Sequence, residues 1–144
     1  MSVQTQRYGG LTQAIVTECI VFADNSNDLS CAPHYHTFKA MWDTGATNTV
    51  LSPKVIKALG LVPFAQSGVS GIGGNVDGGV YKIAIGLPCG QVVRNITAYE
   101  SELDYDVLIG MDIILLGDFA FTNKDGQSVF SFRIPSKEHI DLTD

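Results

Sequence analysis

Short segments rich in β-branched and aromatic residues recur along the chain, and runs of glycine, proline and polar residues separate them. Segments of this composition and length are typical of strands. They occupy residues 14–23, 37–42, 49–51, 80–87, 91–100 and 105–110. Residues 119–134 fit two further strands joined by an Asp-Gly turn. Strands at such short spacing predict an all-β domain that is closed into a barrel or stacked as a sandwich.

Helix signals are few. The stretch "SPKVIKALG" (residues 52–60) begins with Ser52, which can cap a helix, and with a proline suited to the first turn, and Gly60 fits its end. The stretch "MDIILLGD" (residues 111–118) fits either a short helix or an extension of the preceding strand, and a short helix that ends at Gly117 is favoured. The sequence therefore predicts one or two short helices beside the strands.

Three segments have the composition of loops or hairpins. Residues 24–36 predict a long exposed hairpin loop. Residues 67–79 contain six of the 15 glycines and lead into a strand, which predicts a glycine-rich hairpin. The polar residues 135–144 predict a tail that is frayed or that a partner chain recruits.

Composition limits the class of protein. A length of 144 residues suits a single domain over residues 1–144, and 45% hydrophobic residues supply a core. The net charge of −6 argues against a nucleic-acid or anionic-membrane partner. The sequence contains no apolar run of 18 residues, so we expect no membrane span. The odd count of three cysteines and the polar start, which lacks the apolar region of a signal peptide, predict free thiols and a cytoplasmic location.

The stretch "MWDTGATNTVLS" (residues 41–52) brings one carboxylate, Asp43, from an apolar strand into a turn that contains Gly45. It is open to three interpretations. Asp-Thr-Gly makes structural turns, because the Asp side chain bonds to the backbone two residues on. A phosphate-binding loop of similar pattern belongs to folds with two large domains, which 144 residues cannot supply. The third interpretation is the catalytic turn of an aspartic peptidase, in which two carboxylates activate a water.

The order of motifs favours the third interpretation. The glycine hairpin "SGIGG" follows "DTGA", and the apolar "VLIG" with "MDIILLG" comes near the C-terminal third. This order, over residues 12–134, resembles the retropepsins, the aspartic peptidases of retroviral type, and "VLIGMDII" with "GDFAFTN" resembles their bacterial members. The resemblance implies a closed, barrel-like single lobe of the acid-protease type, with a core over about residues 12–134 and a tail from residue 135.

The second carboxylate of such a site is missing from the chain, since Asp43 is the only aspartate in an Asp-Thr-Gly or Asp-Ser-Gly setting. A twofold axis would place Asp43 opposite its own copy, so the resemblance implies a homodimer with its active site on the axis. It assigns catalysis to Asp43, supported by Thr44, which would bond across the axis, and by Gly45, which lets the two turns approach.

The resemblance also implies a set of residues that contact a peptide or protein substrate: Ala46, Thr47, Asn48, Val50, Gly71, Ile72, Gly73, Gly74 and Leu108. Four of them belong to the glycine hairpin, the flap of the retropepsins, with Ile72 at its tip. Ala46 stands where pepsin-like enzymes have a Ser that bonds the carboxylate, which predicts activity closer to neutral pH. Leu51 is expected in the core.

The chain departs from the viral pattern at the positions that support the viral dimer. Thr47 and Asn48 replace acids and Met111 replaces an arginine, so the dimer contacts must differ, and Asp112 is expected to cap the second helix. The resulting hypothesis is a homodimeric aspartic endopeptidase that uses no metal and no cofactor. The alternative is a non-catalytic dimeric module that binds peptides on the same fold.

Overall fold

The computed structural model describes residues 1–24, 36–67, 70–71, 74–75 and 78–143. In chain order its elements are β1 (Ser2–Arg7), β2 (Ile15–Ala23), β3 (Thr37–Trp42), β4 (Val50–Leu51), α1 (Pro53–Leu59), β5 (Ala65–Ser67), β6 (Ser70–Gly71), β7 (Gly74–Asn75), β8 (Gly78–Gly86), β9 (Val92–Glu100), β10 (Val107–Ile109), α2 (Met111–Ile114), β11 (Asp118–Thr122) and β12 (Val129–Ile134). Strands dominate, which confirms the all-β prediction.

A six-stranded barrel is the body of the fold. Its strands follow the order β2-β3-β10-β4-β9-β8, and β2 pairs with β8 to close the sheet. Closure pairs each barrel strand on both sides, and β5 pairs with the first residues of β8, on the same edge that β2 uses further along the strand. Alternate residues point inward, so that Val107 and Ile109 of β10 are fully buried whereas Leu108 between them is half-buried.

A second sheet of three strands, in the order β1-β12-β11, packs against the barrel. The pairing of β1 with β12 runs from Ser2 opposite Ile134 to Arg7 opposite Val129. The sequence did not predict β1, because "SVQTQR" lacks an apolar face and buries only Gln4. Pairing with β12, a contact distant in sequence, makes this segment a strand.

Aromatic side chains join the two sheets. Trp42, the last residue of β3, has its ring centroid 4.9 Å from that of Phe130 and 4.8 Å from that of Phe132. Both phenylalanines belong to β12 and are buried. The indole Nε1 of Trp42 donates to the hydroxyl of buried Thr17 at 2.9 Å, so its polar group is satisfied within the core. The terminal sheet thereby supports the residue that precedes Asp43.

Helix α1 follows the predicted boundaries, with one difference. Gly60 adopts a left-handed conformation (φ 61°, ψ 38°) and its N–H bonds to the carbonyls of Ile56 and Lys57, as expected of a helix end. Ser52 occupies the N-cap position, but its side chain makes no capping bond, and its hydroxyl is buried without a partner among the described residues.

Helix α2 is shorter than predicted. It ends at Ile114, before Gly117, which serves a different purpose. A Cβ at Gly117 would overlap the carbonyl oxygen of Arg133 in β12. Glycine is therefore required there by the close approach of two backbones, and not as a helix stop.

The start of the C-terminal tail is held by Asp118, at the beginning of β11. Its carboxylate accepts hydrogen bonds from the hydroxyl of Ser136, from the N–H of Lys137 at 2.8 Å and from Nε of Arg133 at 2.7 Å. Residues 136 and 137 are thus tied to their own chain, whereas the sequence predicted a frayed or partner-bound tail.

Several predictions fall partly outside the described residues. They concern most of the loop 24–36, Ile72 and Gly73 of the glycine hairpin, and Cys31.

Cys19 and Cys89 are free, and burial, together with the Asp106 carboxylate, raises the pKa of Cys19 to about 12. Among the described residues, no helix is long and apolar enough to cross a membrane.

The Asp118 contacts predict a pH-dependent stability. The bonds from Ser136, Lys137 and Arg133 hold the pKa of Asp118 well below its usual range. Their contribution is fully present above the unfolded-state pKa of about 4, and it is lost as pH falls further, because only the unfolded chain then takes up the proton. We expect Asp118→Asn to lower the thermal midpoint at neutral pH, by an amount that shrinks below about pH 4.

The matched control is Asp125→Asn, which makes the same change of charge in the exposed loop between β11 and β12. Thermal melts of both variants and the wild type from pH 3 to pH 7 provide the measurement. Equal thermal midpoints for the Asp118 variant and the wild type at neutral pH would mean that the hydrogen bonds of the Asp118 carboxylate do not stabilise the fold.

Candidate active site

The crossing of two chain segments creates the candidate site. Strand β10 lies between β3, with which it is parallel, and β4, with which it is antiparallel. The chain that leaves β3 must therefore pass over the end of β10 before it returns as β4. Residues 43–49 make this passage and contain the Asp-Thr-Gly turn.

Asp43 is the first residue of the passage. Its N–H donates to the carbonyl of Ile109 at 2.8 Å, which extends the pairing of β3 with β10 by one bond. Its carboxylate Oδ1 accepts the N–H of Gly45 at 2.8 Å, and its carbonyl accepts the N–H of Ala46 at 3.2 Å. These bonds close a tight turn that presents a partly exposed carboxylate.

The turn is fastened to the start of α2. Met111 donates its N–H to the carbonyl of Ala46 at 2.7 Å, and Asp112 donates its N–H to the carbonyl of Thr47 at 3.2 Å. A Cβ at Gly110 would lie 2.7 Å from the carbonyl oxygen of Asn48 and 2.8 Å from that of Ala46. Gly110 therefore allows the passage to lie directly on the end of β10.

Gly110 occupies the N-cap position of α2, but the Asp112 carboxylate accepts the N–H of Ile113 in the first turn at 3.0 Å. The same carboxylate also accepts from the N–H and the hydroxyl of Thr49, each at 2.9 Å. Thr49 is fully buried, so this carboxylate satisfies two polar groups that lie away from water. Its role is to hold the end of the passage against the helix.

The predicted site residues differ in exposure. Thr44 and Gly45 are exposed at the tip of the turn, as are Thr47 and Asn48 further along. Ala46 is half-buried and brings no hydroxyl to the carboxylate.

Val50 and Leu108 are half-buried and are direct partners in the β4–β10 pairing, so the structure brings these two side chains together. Leu51, the next residue of β4, is fully buried, which confirms its assignment to the core.

Sequence reasoning missed Met41. This residue precedes Asp43 by two positions, and side chains alternate along a strand, so both point to the same face. Met41 pairs with Leu108, and the two line a cavity of ≈ 240 Å³ together with residues 102–105 and Val107. The alternation of side chains along β3 could have indicated that Met41 lies on the same face as Asp43.

The glycine hairpin is partly described. Ser67 pairs with Gly78 in β5 and β8, and Ser70 pairs with Asn75 in β6 and β7, in one continuous register. Gly71 pairs with Gly74 in that register. The antiparallel arms of the predicted hairpin are therefore present, while Ile72 and Gly73 lie outside the described residues.

Comparison with protein families identifies the group to which the chain belongs. Residues 32–115, more than half of the chain, match the model of the gag-polyprotein putative aspartyl proteases. The chain is a member of this family. It is therefore an aspartic endopeptidase, and the matched residues include the Asp43 turn, the glycine hairpin and β10.

Solved structures give the same fold for this aspartyl protease. A retropepsin-like aspartic protease from Rickettsia conorii is similar with a TM-score of 0.51 and 17% identity, over 91% of this chain and 94% of that one. The EIAV protease complexed with the inhibitor HBY-793 is similar with a TM-score of 0.52 and 20% identity, over 74% of this chain and 89% of that one. No curated protein sequence matches.

The role of Asp112 in the aspartyl protease can be tested by removing its carboxylate. We expect Asp112→Ala to lower the free energy of unfolding by about 1–3 kcal/mol, because the buried N–H and hydroxyl of Thr49 lose their acceptor. Urea unfolding of Asp112→Ala, Thr49→Val and the double variant measures the coupling between the two side chains. Additive effects of the two substitutions would contradict the contact.

Proposed function

We propose that the enzyme acts as a homodimer, in which two symmetry-related Asp43 carboxylates activate a water that attacks the peptide bond. The observation that carries this proposal is the Asp43 turn itself. One carboxylate is held by the Gly45 N–H at 2.8 Å, and Thr44 and Gly45 beside it are exposed. An aspartic dyad needs a second carboxylate, and the sequence has no second aspartate in such a turn.

A twofold axis next to Thr44 supplies that carboxylate from the partner chain. The two Asp43 side chains share one proton, since two carboxylates about 3 Å apart cannot both ionise at low cost. The ionised member takes a proton from the water as it attacks, and the protonated member donates its proton to the carbonyl oxygen of the substrate. Gly45 supports this arrangement because a side chain there would obstruct the approach of the two turns.

The substrate is a peptide in an extended conformation. Val50 and Leu108, which pair on the face of the sheet that also carries Met41, offer apolar contacts to its side chains. The backbone of Ala46, Thr47 and Asn48 lies beside the turn. Contacts to the other side of the peptide are assigned to the glycine hairpin, through Gly71, Ile72, Gly73 and Gly74.

Asp43→Asn is expected to abolish cleavage while the fold is kept. The Asn side-chain oxygen can still accept the Gly45 N–H, so the turn retains its bond. The amide cannot take a proton from water, and twofold symmetry removes both carboxylates at once. Cleavage of an unfolded protein substrate should fall by at least about 1,000-fold, which is within the range for loss of a catalytic residue.

Asp125→Asn provides the matched control for this experiment and should cleave at the wild-type rate, because Asp125 lies in the β11–β12 loop. Thermal melts of both variants establish that they are folded. Cleavage by folded Asp43→Asn at the wild-type rate would exclude Asp43 as the catalyst. Binding without cleavage by the wild type would favour the non-catalytic peptide-binding module.

Thr44→Ala is expected to weaken the dimer more than the fold of each chain. A hydroxyl hydrogen bond contributes about 0.5–1.5 kcal/mol, and symmetry removes two of them. The dimer Kd should therefore rise roughly 5- to 150-fold. Sedimentation over a range of concentrations measures this change.

Thr47→Ala is the matched control for Thr44→Ala, because Thr47 is also an exposed threonine of the same passage. An unchanged Kd for Thr44→Ala would mean that this hydroxyl does not bond across the axis. A monomer that still cleaves peptides would overturn the dimeric mechanism.

A further inference from the structure

Glu100, the last residue of β9, connects two parts of the fold that are distant in sequence. Its Oε1 accepts a hydrogen bond from the hydroxyl of Tyr81 at 3.0 Å and another from the N–H of Gly79 at 3.2 Å. Both donors belong to β8, close to the point where β8 enters the glycine hairpin. A single carboxylate oxygen thus holds the base of the hairpin by two bonds.

The surroundings of Glu100 are closely packed. A Cβ at Gly78 would lie 2.6 Å from the carbonyl oxygen of Glu100, and a Cβ at Gly79 would lie 2.7 Å from the Tyr81 hydroxyl. Neither position has space for a side chain, so glycine at 78 and 79 allows β8 to lie close to Glu100 and Tyr81. Tyr81 is 4% exposed, and burial, followed by the nearby Glu100, raises the pKa of its hydroxyl, which therefore remains a donor at neutral pH.

On its other side Glu100 faces the strand that leaves the catalytic passage. It pairs with Leu51 of β4, and the N–H of Ser101 donates to the carbonyl of Leu51 at 3.0 Å. The ladder between β8 and β9 stops at Val80 opposite Tyr99. Beyond that pair the Glu100 side chain accepts the Gly79 N–H in place of a backbone carbonyl.

We propose that Glu100 is a positioning residue that fixes the angle between the β5–β8 hairpin and the strand pair β4–β9, which leads from the Asp43 passage. The proposal rests on the proposed catalytic function, in which the hairpin contacts the substrate. Gly74 pairs with Gly71 at the far end of the described part of the hairpin, so a rotation at the base displaces Gly74 further than it displaces Gly79. Such a displacement moves the far end away from a bound peptide.

Removal of the carboxylate is expected to affect substrate binding more than the chemical step. Glu100→Ala should raise KM about tenfold and change kcat by less than about twofold, because the Asp43 turn keeps its own bonds to Ile109 and Gly45. Glu100→Gln should restore KM to within about twofold of the wild type, since its amide oxygen accepts both hydrogen bonds. A residue with a merely structural role would lower kcat and stability without this rescue.

Glu18→Ala is the matched control, because Glu18 is an exposed acid of β2 that lies outside the proposed site, and its carboxylate contacts the exposed Lys39 at 3.7 Å. It removes the same charge and should leave KM unchanged. The proposal is overturned if Glu100→Ala has the KM of this control, if its loss of activity lies in kcat alone, or if Glu100→Gln is as impaired as the alanine variant.

Hydrogen exchange separates this proposal from the proposed catalysis. In Glu100→Ala the amide of Gly79 should exchange at least about tenfold faster, while amides of the β2–β3 pair keep their wild-type rates. If the wild type cleaves no peptide, the catalytic proposal fails, and the exchange rates still decide whether Glu100 fixes the hairpin. Unchanged exchange at Gly79 in Glu100→Ala would overturn the positioning role independently of activity.

Discussion

The hydrogen bond from the Asp43 N–H to the Ile109 carbonyl is the contact on which the site depends. It fixes the point at which the chain leaves β3 and starts to cross the end of β10. The crossing is possible because Gly110 has no side chain to obstruct it. The barrel therefore does more than carry the Asp43 turn on its surface, since its strand order forces the chain to cross closely over the end of β10.

The position next to Asp43 explains why the terminal sheet matters to the site. Trp42 is buried between the barrel and β12, against Phe130 and Phe132, and its backbone continues directly into the turn. A displacement of this indole would move the carboxylate with it. Close packing resists such movement, because interiors at crystal-like density leave no space for a shifted ring. The hairpin of β11 and β12 thus contributes to the geometry of the site through its packing against Trp42.

The sequence predicted what local patterns encode. Alternating apolar residues located the barrel strands, and Gly60 marked the end of α1. The sequence did not predict contacts between residues that are distant along the chain. The strand β1 exists through its pairing with β12, Gly117 is required by the backbone of Arg133, and Asp112 bonds to Thr49 as well as to its own helix. The resemblance to a family identified the Asp43 turn, whereas Glu100 carries no motif and emerged only from the tertiary contacts.

The terminal sheet also limits how two chains can meet. The strand β1 pairs along its length with β12, and the start of the tail bonds to Asp118, so these backbone groups are used within the chain. The other edge of β1 has no partner strand among the described residues, because β1 is the first strand in the order β1-β12-β11. In the proposed dimer this edge offers backbone groups to a partner, in addition to side chains near Thr44 and exposed apolar groups such as Leu115, which follows α2 and is 73% exposed. The strength of such an interface depends on the fit of individual side chains around the axis as well as on these backbone bonds.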